Sequence, residues 1–153
     1  MSSEQSRSAT FEEYQAALRA TVRSALEAHS GSAIVTEGGH CTDASIWGIE
    51  VEPQRAGAAS VSIVYTGSDE VTVGFGQTHV YLWAADPAAL AMLVGRMLSA
   101  IFAGRVVEAG RKGDSFARIT LPDGEVLPVG AAHLPLPWEL RRKRGYRPYS
   151  GGM

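Results

Sequence analysis

Ser60-Val61-Ser62-Ile63-Val64-Tyr65-Thr66 and Glu70-Val71-Thr72-Val73-Gly74-Phe75, continued through Gly76-Gln77 into a run containing His79-Val80-Tyr81-Leu82-Trp83, decide the fold of this chain. Each run alternates apolar with polar or aromatic side chains. Ile46 to Glu52 alternates in the same way. The inward sets are Trp47/Ile49/Val51, Val61/Ile63/Tyr65 and Val71/Val73/Phe75. The outward sets include Glu50/Glu52, Ser60/Ser62 and Glu70/Thr72. Period two with one polar face predicts an antiparallel sheet covered on one side.

Parity then fixes the register, because a one-residue slip turns a strand's core face to water. An odd-length loop through Gly67-Ser68-Asp69 pairs Tyr65 with Val71, Ile63 with Val73 and Val61 with Phe75. Gly76-Gln77 suits a two-residue hairpin loop with glycine in the first position, where positive φ is required. That turn sets Val73 opposite Val80 and Val71 opposite Leu82. The result is a meander of at least four strands.

N-terminal to the meander, Thr10-Phe11-Glu12-Glu13 reads as a capping box. Phe11, Tyr14, Leu18, Val22, Ala25 and Leu26 follow at three- and four-residue steps, so a helix runs to a glycine cap at Gly31. A short strand is expected at Ala33 to Thr36. C-terminal to the meander, Asp86 caps a second helix and Pro87 takes its first position. Leu90, Leu93, Val94, Met97, Leu98 and Ile101 gather on one side of it. Ala91, Gly95, Ser99 and Phe102 lie opposite, with small residues that let another helix approach closely. Pro87 to Ala103 spans seventeen residues and contains Arg96, which makes it a buried helix and not a membrane span.

Two further strands are expected near Arg105 to Ala109 and Ser115 to Leu121, with Asp123-Gly124 turning the chain back. Pro128, Pro135 and Pro137 discourage regular pairing beyond that. The fold is therefore α+β: an antiparallel meander, an N-terminal helix, a long apolar helix packed on one face, and an irregular basic C-terminal arm. Residues 1–9 form a flexible N-terminus, 10–130 a single domain, and 131–153 a Pro-rich and then basic arm.

The chain has 153 residues, 45% hydrophobic and 20% charged, which is ordinary for one folded domain. The polar N-terminus carries no signal-peptide pattern, and a lone Cys41 excludes an internal disulfide, so a cytoplasmic location is expected. Net charge is -2, unevenly placed. Five cations against Glu139 give the last sixteen residues +4, leaving -6 on the other 137.

Chemistry-bearing motifs are sparse. His40-Cys41-Thr42-Asp43 groups reactive side chains, but without spaced ligand pairs it reads as a polar turn and not as a metal or nucleophile site. No phosphate-binding glycine loop and no serine elbow occurs. Hence no catalytic residue, metal or cofactor is assigned. The informative group is His79, Tyr81 and Trp83, three rings on the face away from the core pairs. They imply a binding surface or a covering layer such as Leu134 to Trp138.

The partner-binding residues are accordingly His79, Tyr81 and Trp83 with Arg141, Arg142, Lys143, Arg144 and Tyr146 of the arm. The leading expectation is a non-enzymatic protein-binding module, an adaptor, chaperone or inhibitor, whose partner is another protein or a second copy. The alternative is a small-molecule or enzymatic domain with a pocket between the long helix and the sheet, using His79 or His40/Cys41. A third reading gives the arm to nucleic acid, which the surplus of acid elsewhere disfavours.

Overall fold

A computed structural model describes residues 10–29, 31–38, 47–65, 70–83, 86–111, 114–130 and 143–150. Helix α1 (Thr10–Glu27) is followed by five strands: β1 (Ala33–Gly38), β2 (Trp47–Pro53), β3 (Val61–Tyr65), β4 (Glu70–Phe75) and β5 (Thr78–Trp83). Helix α2 (Pro87–Phe102) comes next. Strands β6 (Val106–Arg111), β7 (Asp114–Thr120), β8 (Val126–Gly130) and the two-residue β9 (Arg144–Gly145) complete the chain. The first five strands form an antiparallel meander, and the last four a second sheet in the order β8-β7-β6-β9. The architecture is α+β, with both helices on the inner face of the meander.

The observed register is the one that parity requires. Tyr65 faces Val71, Ile63 faces Val73 and Val61 faces Phe75, while Val73 faces Val80 and Val71 faces Leu82. Gly76 has φ +56°, the sign its hairpin position demands. The inward sets are buried: Trp47, Ile49, Val51, Val61, Ile63, Tyr65, Val71, Val73 and Phe75 are all nearly inaccessible.

Helix α1 buries Tyr14, Leu18 and Val22 against this face, with the Tyr14 and Tyr65 rings 5.3 Å apart. Arg19 reaches from α1 to Glu37 of β1 (Nε–Oε1 2.8 Å), lies over the Trp47 ring, and holds the Glu37 carboxyl below its usual pKa. The two helices meet on the small-residue side of α2. Thr21 Oγ1 donates to the Ala91 carbonyl at 3.0 Å, and a Cβ at Gly95 would sit 2.5 Å from that hydroxyl. The expected α2 cap is present, with Asp86 accepting from the Ala89 amide at 2.8 Å. The Thr10 capping box falls on side chains outside the described residues, as do His40 to Asp43.

Three expectations are corrected. Leu93, assigned to the buried stripe of α2, is 37% exposed, whereas Ala100, seven residues on and on the same side, is buried. A helical projection ignores position along the axis, and this side is covered only in its C-terminal half. Phe102, assigned to the opposite side, is buried because Tyr149 stacks on it with ring centroids 4.4 Å apart. Pro128 does pair, lying opposite Arg118 in β8. An edge strand tolerates proline, since its missing N–H can face away from the ladder.

Residues 143–150 run back along the domain. The Arg147 amide donates to Gly57 O at 2.8 Å, the Tyr149 amide to Phe102 O at 2.7 Å, and Tyr149 Oη to Ala59 O at 2.5 Å. They pass so near Gly104 (φ +73°) that a Cβ there would lie 2.7 Å from the backbone at Tyr146 and Pro148. Among the described residues no helix is long and apolar enough to cross a membrane.

Candidate functional site

The outer face of the meander carries every second residue of five strands. Register places His79 beside Gly74, Tyr81 beside Thr72 and Trp83 beside Glu70. Tyr81 is 56% exposed and Trp83 59%, side by side on β5 at one end of the strand order. The His79 ring lies across β4 because position 74 has no side chain. A Cβ at Gly74 would be 2.7 Å from Ser62 Oγ and 3.0 Å from His79 Cδ2.

Beside His79, a shallow cleft of about 240 Å³ is lined by Glu50, Glu52, Ser60, Ser62 and Gly74. Glu50 and Glu52 project from one strand two residues apart, so both carboxylates serve the same face. Glu70 adds a third. No outward-facing position of the described strands β1 to β5 holds Lys or Arg. The face therefore combines acceptor oxygens, an imidazole and two large rings, a set that suits cations and the apolar stems that carry them.

The arm residues go elsewhere. Arg141 and Arg142 lie outside the described residues, as does Leu134 to Trp138. Lys143 is exposed. Arg144 and Tyr146 turn inward onto Glu108, which is fully buried. Sequence reading missed Glu108, although its signal was present: it shares parity with Val106 and is an acid at a core position of its strand.

Glu108 Oε2 accepts from the Gln77 amide at 2.9 Å and from Thr78 Oγ1. Glu108 Oε1 accepts from Tyr146 Oη at 2.6 Å and from Arg144 at 3.2 Å. Ser115 Oγ in turn donates to the Gln77 carbonyl at 2.7 Å. A buried carboxylate is stable only when paired and hydrogen-bonded, and this one gathers donors from the β4–β5 turn and the C-terminal strap. Burial, reinforced by the neighbouring carboxylate, pushes the Tyr146 hydroxyl pKa up to about 12. Its donors and acceptors satisfy one another, so this cluster is a structural clasp, and the outer face of the meander, with Tyr81 and Trp83 exposed, is a separate surface.

Among the described residues no three His, Cys, Asp or Glu side chains cluster as metal ligands would. Comparison of the chain with family models, with curated proteins and with solved structures finds no match, so its function is argued from this surface alone.

Proposed function

We propose that the chain is a non-enzymatic protein-binding module whose outer meander face receives a basic segment of another protein. One observation carries the reading. Tyr81 and Trp83 are more than half exposed on a face that also bears Glu50, Glu52 and Glu70, and the described outward positions of β1 to β5 hold no Lys or Arg. A flat aromatic and acidic surface favours Arg and Lys side chains, which stack on rings while their charges reach carboxylates. Aromatic residues also concentrate binding energy at interfaces.

The alternative pocket between α2 and the sheet gains no support from the packing. Leu90, Val94, Met97, Leu98 and Ile101 fill that interface at 1% exposure or less, and His79 points to the opposite face. The acid excess outside the arm also argues against a phosphate backbone as the partner of this face.

Titration of the full chain with an arginine-rich peptide, followed by tryptophan fluorescence, tests the proposal. Binding should weaken with salt, and Trp83→Ala should reduce affinity about 30-fold, the equivalent of roughly 2 kcal/mol. Glu50→Lys/Glu52→Lys should abolish binding. An acidic peptide that binds equally well, or a Trp83→Ala protein with unchanged affinity, would refute the module.

A further inference from the structure

We infer that the outer face of the second sheet is a binding site for a free long-chain carboxylate, a ligand of the fatty-acid class. This site is separate from the meander face and does not depend on the function proposed for it.

A groove of about 550 Å³ lies over β6, β7 and the start of β9, a volume within the range of small-molecule sites. Alternation determines what lines it. Val106, Glu108, Ala117 and Ile119 turn to the core, so Arg105 and Val107 of the β6 segment turn outward, as does Ala109, which is itself buried. Phe116, Arg118 and Thr120 of β7 do the same. From β8, Val126 joins them opposite Thr120. A solvated sheet face ordinarily carries Thr, Ser, Lys and Glu. Here Val107 remains 44% exposed and Val126 51% exposed, with Phe116 between the strands that hold them. Gly145, paired with Val107, contributes no cover, and a Cβ there would meet nothing within 4 Å.

The described charged side chains that turn to the groove are of one sign. Arg105, Arg118 and Lys143 line the groove, all exposed, and none forms an ion pair among the described residues. The acid nearest in sequence, Glu108, turns its carboxylate to the opposite face, where Arg144 and Tyr146 hold it. Arg118 lies opposite Val107, and the Thr120 amide donates to Arg105 O, so the two arginines are diagonal neighbours on adjacent strands. That places their Cβ atoms about 7–8 Å apart, close enough for both guanidinium groups to grip one carboxylate.

A carboxylate held between Arg105 and Arg118 leaves an acyl chain to run over Val107 and Phe116. Head and tail are thus each met by the chemistry they need. A cationic amphiphile would meet three like charges, and a carboxylate without a tail would leave the apolar floor bare.

Dodecanoate, kept below its micellar concentration, is the probe, read by methyl NMR of the full chain. Dodecyltrimethylammonium and acetate serve as controls. Saturable shifts should appear at the exposed Val107 and Val126 methyls with dodecanoate. Affinity should be at least tenfold weaker for the ammonium amphiphile, with no shifts from acetate. Arg118→Glu and Arg105→Glu alter exposed residues, so the remaining methyl spectrum reports an intact fold, and each should weaken dodecanoate at least tenfold. The inference is overturned if both amphiphiles bind alike or if the arginine variants bind as well as the parent. It is also overturned if these methyls shift with protein concentration alone, which would give the groove to a second copy. Shifts caused only by phosphatidylglycerol vesicles would give it to a membrane surface and would overturn the inference equally.

Discussion

Tyr146 Oη donates to Glu108 Oε1 across 2.6 Å, and the tyrosine lies directly against Gly76, the first residue of the β4–β5 turn. A Cβ at position 76 would collide with that hydroxyl. Gly76 thus serves twice, supplying positive φ for the turn and room for the strap residue that reaches the buried acid. Turn, second sheet and C-terminal strap meet at one carboxylate.

Removing that carboxylate should be costly. Glu108→Ala leaves Arg144, Tyr146 and Thr78 without their acceptor, and breaking one side of a buried ion pair typically destabilises by about 3–5 kcal/mol. Arg144 is partly exposed and can recover water, which favours the lower end. A stability loss of less than about 1 kcal/mol in urea denaturation would mean that the clasp contributes little.

At alkaline pH the same cluster should fail. Folding raises the Tyr146 pKa from 10.0 to about 12, so its contribution is complete below pH 10 and disappears as pH rises towards 12. Tyr146→Phe should remove this part of the pH dependence. Ultraviolet titration should show the Tyr146 phenol ionising late, and a Tyr146 that titrates near the ordinary 10.0 would contradict its engagement with Glu108.

On the acid side, His29 is the titrating group to watch. Its Nδ1 lies 2.6 Å from Ser150 Oγ, and its ring meets Phe102 and Tyr149 edge-on. Burial lowers its pKa below the ordinary 6.5, so the unfolded chain takes up a proton more readily than the folded one. Stability is therefore full above 6.5 and declines as pH falls through the lowered folded value. His29→Gln should flatten the fall in denaturation midpoints as pH drops below about 6.5, the ordinary histidine value. An unaltered slope would show that His29 does not carry it.

Within α2, two leucines five residues apart should behave differently. Leu98 is wholly buried and Leu93 is 37% exposed. Leu98→Ala should cost about 2–5 kcal/mol, and Leu93→Ala under about 1 kcal/mol. Equal losses measured by thermal or chemical denaturation would contradict the partial cover of this helix.

What repeats locally was legible in the sequence. Alternation along Ser60 to Trp83 set strand faces and register, since every residue of a strand must agree on which face is buried. Asp86-Pro87 set the start of α2, and Ala91, Gly95 and Ser99 marked where α1 approaches, because caps and small-residue contacts depend on a few neighbouring positions. The outward direction of His79, Tyr81 and Trp83 followed from the same parity. Tertiary structure alone decided the rest. Leu93 and Ala100 occupy the same side of one helix, yet only the extent of what packs there separates the exposed residue from the buried one. Arg144 and Tyr146 look like members of a free basic arm until a carboxylate thirty-six residues away from Arg144, held in the core, is seen to need them. A charge's partner across such a separation leaves no periodic trace in sequence, because it is selected by the unmet desolvation of another charge in three dimensions.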